Sequence, residues 1–238
     1  MTMTPPAWTP TSTYRLQLGP AFTFADVERI APYVGSLGIE ALYLSPMLKA
    51  RPGSTHGYDI CDHAAVNPDL GTEPDLARLA AVASAHGLRL LADIVPNHMG
   101  VDPQVNPWWR EVLENGPCSP FAEYFDIDWE PVTPHLRQKV LLPILGDQYG
   151  RVLENQEIRA VREGGTFYAE YYDSRLPLAP QSWIPILEAA LTPVRDARGA
   201  EDPAVLEIES IMTALSHLPP RATPTPHACR SGSARRRS

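Results

Sequence analysis

At 238 residues and 44% apolar content, the chain has enough hydrophobic material for one large domain or two small ones, which excludes wholesale disorder. The formal net charge is −8, but the segment 219–238 carries five arginines and no acid, leaving 15 basic against 28 acidic residues, a net of −13, in positions 1–218. A body that acidic excludes nucleic acid as the partner of its main surface and suits a neutral ligand such as a sugar.

The opening residues MTMTPPAWTPTS have neither a basic start nor an apolar run, so no secretory signal is expected. No stretch reaches the apolar length of a membrane span, so no membrane partner is expected either. Cys61, Cys118 and Cys229 are odd in number and share no metal-like spacing. That usage fits a reduced, soluble, cytoplasmic protein better than a disulfide scaffold.

Thr13 to Leu18 (TYRLQL) is rich in β-formers and ends at Gly19-Pro20. Thr23 with Asp26 forms a capping box, and Phe24, Val27, Ile30, Ala31, Val34 and Leu37 then recur at helical spacing up to Gly38. Pro32 falls inside that run and should kink it or mark a weak turn. Ala41 to Ser45 (ALYLS) reads as a strand covered on both faces. A Gly/Pro-punctuated loop follows from Lys49 to Gly71. A second capping box, Thr72 with Asp75, opens a helix with Leu76, Leu79, Ala80 and Ala83 on one face, closed by Gly87. Leu88 to Val95 (LRLLADIV) is the next buried strand. This alternation predicts an α/β fold with a parallel sheet.

After Gly100 the rhythm breaks. Residues 101–200 are rich in Pro, Trp and Tyr, with strand-like pieces at Val140–Ile144 and Thr166–Tyr172, and read as an insertion with its own small sheet. A helix over 201–218 follows, with Asp202 as N-cap and Val205, Ile208, Ile211, Met212 and Leu215 on one face. Residues 219–238 have no periodicity. They read either as a disordered basic tail or as residues translated out of frame, and the abruptness of the change favours the second.

Three polar clusters fall just after predicted strands: Ser45-Pro46, the loop Gly53 to Asp59 extended by Asp62 and His63, and Asp93 to His98. Parallel α/β sheets place their sites at such strand ends. An aspartate inside an apolar strand needs a partner, so Asp93 reads first as a tie between neighbouring loops. His98 fits a ligand contact or a satisfied edge histidine equally. Tyr58-Asp59 suits a sugar, with a ring to stack and a carboxylate to accept from hydroxyls, and equally suits a turn with an Asx cap. Trp108, Trp109, Trp129, Tyr171 and Tyr172 fit either a sugar cleft or the core of a small insertion. A metal held by Asp59, Asp93 and His98 has no supporting motif, so no metal is expected.

As an ordered set these segments resemble the α-amylase superfamily. DIVPNH is similar to its first conserved region, and ALYLSP and GYDICDH are similar to its second-strand and following-loop patterns. STYRLQL, LYLSPMLKARPGSTHGYDICDH, NPWWREVLENGPCSPFAEYFDIDW, LLPILGDQYGRVLE and YYDSRLPLAP resemble its trehalose-forming branch more than its hydrolytic amylases. The resemblance covers about residues 10–218. It implies the N-terminal part of a (β/α)8 TIM barrel, with residues 1–100 as the first three β/α units and an inserted subdomain after the third strand. The implied reaction converts the reducing-end α-1,4 bond of a maltooligosaccharide substrate into an α,α-1,1 trehalosyl linkage, without a cofactor. Tyr58 then stacks under the sugar at the cleavage subsite, Asp59 holds its hydroxyls and His98 donates or accepts a further hydrogen bond. Asp93 and Asn97 are structural, and His56 and His63 stand behind the site. Asn97 alone falls short of the six or more oxygens that calcium takes.

This chain departs from that pattern at the chemistry itself. The nucleophilic Asp and acid/base Glu of the family follow its fourth and fifth strands, and no Gly-x-Arg-x-Asp-like segment occurs here. No catalytic residue is therefore assigned, and the 238-residue chain is expected to be inactive. A partial barrel also leaves sheet edges open, which predicts marginal stability and aggregation. Another α-amylase-type hydrolase, a glucanotransferase or a non-catalytic glucan-binding remnant stand as alternatives. Oligomeric state is not legible.

Overall fold

The computed structural model describes residues 8–219, so the arginine-rich tail and Cys229 lie outside the described residues. The chain divides into two compact units, one running up to Asn106 and the other starting at Pro107.

The first unit opens with β1 (Thr13–Leu16), α1 (Phe24–Ser36) and β2 (Ala41–Leu44), continues with β3 (Leu48–Ala50), β4 (Ile60–Val66) and α2 (Glu73–Ala85), and ends with β5 (Arg89–Ala92). β1, β2 and β5 form a parallel sheet in that order, at the predicted places. Leu16, Leu42 and Leu44 point to the helix side, where they meet Phe24, Val27, Ala31, Val34, Leu79 and Ala83 in one core. Burying an aliphatic or aromatic side chain of that size contributes roughly 1.5–3 kcal/mol, and Phe24, Leu42 and Leu79 are wholly buried. Both predicted capping boxes form: the Thr23 N–H donates to Asp26 Oδ2 and the Thr72 N–H to Asp75 Oδ2, each at 2.8 Å.

Several expectations change here. α1 runs through Pro32 to Ser36; Pro32 is on the exposed side, where water can reach the carbonyl that loses its intrahelical donor. Ala80 is exposed, and Val82 packs against the core instead. The segment Lys49–Gly71 is not a plain loop, because β3 and β4 pair antiparallel across it. Two register shifts break the pair into pieces too short for a period-two pattern to show. β5 is less buried than its sequence predicts: Leu88 and Val95 are covered, whereas Leu91 and Ile94 are 39% and 66% exposed. It is the edge strand, and no further described strand joins it.

The second unit holds α3 (Pro107–Asn115), α4 (Tyr149–Glu154), β6 (Ile158–Glu163), β7 (Thr166–Tyr171), β8 (Ser174–Pro177), α5 (Ile184–Arg198) and α6 (Pro203–Ser216). Trp108 stacks on Phe121 at 5.4 Å between centroids, and Trp109 meets Phe125 at 4.8 Å, so these aromatics pack within the unit. β6, β7 and β8 form an antiparallel meander. Its first turn is Gly164-Gly165, with φ of 56° and 84°, the left-handed pair that a two-residue hairpin requires. Val140–Ile144 is not a strand; Pro143 removes a donor and no described strand pairs with it. α5, hidden in the sequence by Pro185 and Pro193, packs on α6. In α6, Asp202 caps through the Ala204 N–H at 2.9 Å, and Val205 and Leu215 are buried, while Ile211 of the predicted face is exposed.

Candidate functional site

Register places the first group of polar side chains. Arg15 of β1 stands opposite Tyr43 of β2, and Tyr43 opposite Leu91 of β5. Side chains alternate along a strand, so this row faces away from the helices, and Asp93, two residues past Leu91, joins the same face. Asp93 Oδ2 accepts from the Tyr58 hydroxyl at 2.6 Å and from the Tyr43 hydroxyl at 3.1 Å. Arg15 Nη2 donates to the Tyr58 hydroxyl at 3.1 Å and lies 3.6 Å from Asp93 Oδ2. The guanidinium also sits over the Tyr43 ring, 5.1 Å from its centroid. The hydrogen bond to Tyr58 pushes the Arg15 pKa above its ordinary value, against partial desolvation. The hydrogen bond to Asp93 does the same for the Tyr43 phenol, since a phenolate there would lose its acceptor.

The loop between β3 and β4 delivers Tyr58 and Asp59. Gly57 takes φ +76°, and a Cβ at this position would lie 2.8 Å from the Pro46 carbonyl oxygen, so the turn needs glycine on both counts. The Ser54 hydroxyl accepts from the Gly57 N–H at 3.0 Å and donates to Asp59 Oδ1 at 2.5 Å. The Tyr58 N–H donates to His56 Nδ1 at 3.0 Å, and the two rings stack. Gln17 Nε2 reaches the Thr55 carbonyl at 3.4 Å, tying this loop to β1. Tyr58 is thus held at its backbone and at its hydroxyl, while Asp59 keeps one carboxylate oxygen without a described partner.

The third cluster behaves differently. Asn97 and His98 are both exposed, and the hydrogen bond of His98 is to Asn97 Oδ1, 3.3 Å from Nδ1. Tyr58 and Asp93 are therefore in direct contact, whereas His98 touches neither of them nor Asp59 through a described hydrogen bond. His63 Nε2 lies 3.3 Å from the Val95 carbonyl oxygen. Ser45, the first predicted cluster, is buried with its Oγ accepting from the Leu18 N–H at 2.8 Å, so it joins β1 to β2.

Arg15 and Tyr43 were missed as site residues, and Ser54 was placed in the loop cluster without a role of its own. A signal for both existed: period-two alternation in TYRLQL and ALYLS puts Arg15 and Tyr43 on the face opposite the leucines, and a strand arginine calls for a carboxylate such as Asp93. Among the described residues no group of three His, Cys, Asp or Glu side chains could hold a metal ion. Two open concavities, about 350 and 250 Å³, lie in the second unit and are lined by none of Tyr58, Asp59, Asp93, Asn97 or His98. An aromatic ring and a carboxylate carried by one loop can bind a polyol. No helix among the described residues is long and apolar enough to cross a membrane.

Comparison with known proteins identifies the family. The profile of the alpha amylase catalytic domain matches residues 27–151, more than half of the chain. A putative maltooligosyl trehalose synthase of Mycobacterium tuberculosis is 44% identical over 177 residues, covering 72% of this chain and 22% of that protein. Alpha-amylase SusG of Bacteroides thetaiotaomicron is 32% identical over 157 residues, covering 60% of this chain and 21% of that one. Among solved structures, the maltooligosyltrehalose synthase from Arthrobacter ramosus superposes with a TM-score of 0.63 at 43% identity, covering 71% of this chain and 21% of that one. The chain spans about a fifth of the length of these relatives.

Proposed function

The chain belongs to the alpha-amylase catalytic-domain family, and from that premise we propose that it is the N-terminal part of an enzyme that converts the reducing-end α-1,4 bond of maltooligosaccharides into an α,α-1,1 trehalosyl linkage. Residues 1–100 supply the first three β/α units of an eight-stranded barrel, 101–200 an inserted subdomain and 201–218 a following helix. The parallel order β1-β2-β5 supports the barrel part. Identity of 44% to a trehalose-forming relative, against 32% to a hydrolytic one, supports that branch over a hydrolase or glucanotransferase.

Tyr58 stacks under a glucose unit, Asp59 accepts from its hydroxyls and His98 hydrogen-bonds to it, with Asp93 and Asn97 holding the loops. The observation that carries this reading is the fixed Tyr58 ring, pinned at its hydroxyl by Arg15 and Asp93, and followed in sequence by Asp59, whose Oδ2 has no described partner. Retaining transfer within this family also needs a carboxylate nucleophile, a carboxyl acid/base and exclusion of water, so that the released glucose and not water captures the glucosyl intermediate. This stretch of chain supplies binding groups for that reaction and not the reacting pair.

The test is an NMR titration of the 238-residue chain with maltoheptaose. Saturable shifts are expected, weakened at least about fivefold by Tyr58→Ala, the equivalent of ~1 kcal/mol. Absence of saturable binding in the unmodified chain sinks the sugar reading. Incubation with maltopentaose is expected to yield no trehalosyl product, and product formation would overturn the assignment of no catalytic pair.

A further inference from the structure

Arg15 lies on the same sheet face as Asp93 and enters the reading above only as a partner of the Tyr58 hydroxyl; this inference extends that reading and rests on it. A guanidinium only donates hydrogen bonds. Because Arg15 Nη2 donates to the Tyr58 oxygen at 3.1 Å, the single phenolic proton of Tyr58 has to point elsewhere, and Asp93 Oδ2 receives it at 2.6 Å. The same carboxylate oxygen accepts from Tyr43, whose ring lies beneath the guanidinium. Arg15 Nη1 is braced by Gln17 Oε1 at 3.4 Å, and Gln17 in turn holds the loop at Thr55. Four segments of the first unit therefore meet at one cation: the end of β1, Tyr43 of β2, the loop 54–59 and Asp93.

We propose that Arg15 is a positioning residue of the sugar site, fixing the direction of the Tyr58 hydroxyl proton and with it the tilt of the ring offered to the ligand. The flat, forked guanidinium meets three demands at once: it lies over the Tyr43 ring, bonds Gln17 through one nitrogen and Tyr58 through another. A lysine ammonium reaches Tyr58 as a point charge but meets only part of that geometry. Asp93 is mostly sequestered, its side chain 14% exposed, so the bonds that converge on it are shielded from competing water.

The experiment compares Arg15→Met, Arg15→Lys, Tyr58→Phe and the Arg15→Met/Tyr58→Phe double variant of the full 238-residue chain, using NMR titration with maltoheptaose. Arg15→Met is expected to weaken binding about tenfold and Arg15→Lys to restore part of the loss. In the Tyr58→Phe background, where no hydroxyl remains to orient, Arg15→Met should cost less than about twofold, the non-additivity of coupled neighbours. Without ligand, the slowly exchanging Tyr58 hydroxyl proton should be visible in the unmodified chain and Arg15→Lys, and lost in Arg15→Met. Equal losses in both backgrounds, or an unchanged hydroxyl signal in Arg15→Met, overturn the proposal. Should the unmodified chain bind no maltoheptaose, the sugar reading fails, and the hydroxyl signal alone decides whether Arg15 positions Tyr58.

Discussion

Gly100 lies against Asp59 so closely that a methyl group on its Cα would stand 3.0 Å from the Asp59 carbonyl oxygen and 2.8 Å from Cys61 Sγ. The Gly100 N–H donates to the Ile60 carbonyl at 2.7 Å, and its own carbonyl accepts from the buried Asn106 side chain at 2.7 Å. The segment that follows His98 is thus anchored to the strand that follows Tyr58. Gly100→Ala is expected to destabilise the first unit by roughly 1–3 kcal/mol, the usual cost of overpacking. It should also weaken maltoheptaose binding, because Asp59 moves with the clash. Urea denaturation and the NMR titration read the two effects separately.

Asp93 is a shared acceptor, and its removal should cost more than one hydrogen bond. Asp93→Ala leaves the Tyr43 and Tyr58 hydroxyls without their acceptor and Arg15 without its counter-charge. A loss of about 2–3 kcal/mol is expected, with Asp93→Asn intermediate because its amide oxygen still accepts. A loss below about 0.5 kcal/mol in Asp93→Ala, measured by urea unfolding, would show that the tyrosines find replacement partners in water.

The two capping boxes carry a pH signature. Asp75 has its pKa lowered to about 2, first by the Thr72 hydroxyl and then by the Thr72 N–H and Arg78. Asp26 is lowered in the same direction by Thr23. Both groups bind their proton more weakly in the folded state, so their contribution is complete above the ordinary carboxylate range and disappears as pH falls toward 2. In Thr72→Ala, acid unfolding should shift less between pH 4 and pH 2 than in the unmodified chain. An identical pH dependence in the two chains would count against the capping box as its source.

Phe24 joins the first turn of α1 to the start of α2. It is fully buried, and a Cβ on Gly71 would approach its ring to 2.9 Å. Phe24→Ala should cost about 3–5 kcal/mol through lost burial and the cavity left behind. Gly71→Ala should be destabilising as well, since φ at that position is +137°. Thermal unfolding of both variants checks the pair.

Elements with a sustained period were legible in the sequence, α1 even across Pro32, and those without one were not. α1, α2 and the three parallel strands announced themselves by leucine and valine spacing and by two Thr-x-x-Asp boxes. β3 and β4 stayed hidden because their register shifts after each pair, and α5 because two prolines look like breakers. Within the candidate site, Tyr58 and Asp93 were legible from their places after strand ends, but their mutual contact was not. Proximity across 35 residues depends on how the β3–β4 pair folds back over the sheet. Arg15 and Tyr43 were hidden more simply, because a strand read as a buried segment draws attention to its apolar face alone.

The parallel sheet grows in the order of the chain, β1 then β2 then β5, each strand adding to the flank its predecessor left open. During synthesis, where chains emerge at about 5–20 residues per second, assembly can therefore advance one strand at a time from the amino end. Among the described residues no strand pairs with the outer edge of β5, where Leu91 and Ile94 are exposed. An edge of that kind favours strand-to-strand association of the 238-residue chain at high concentration.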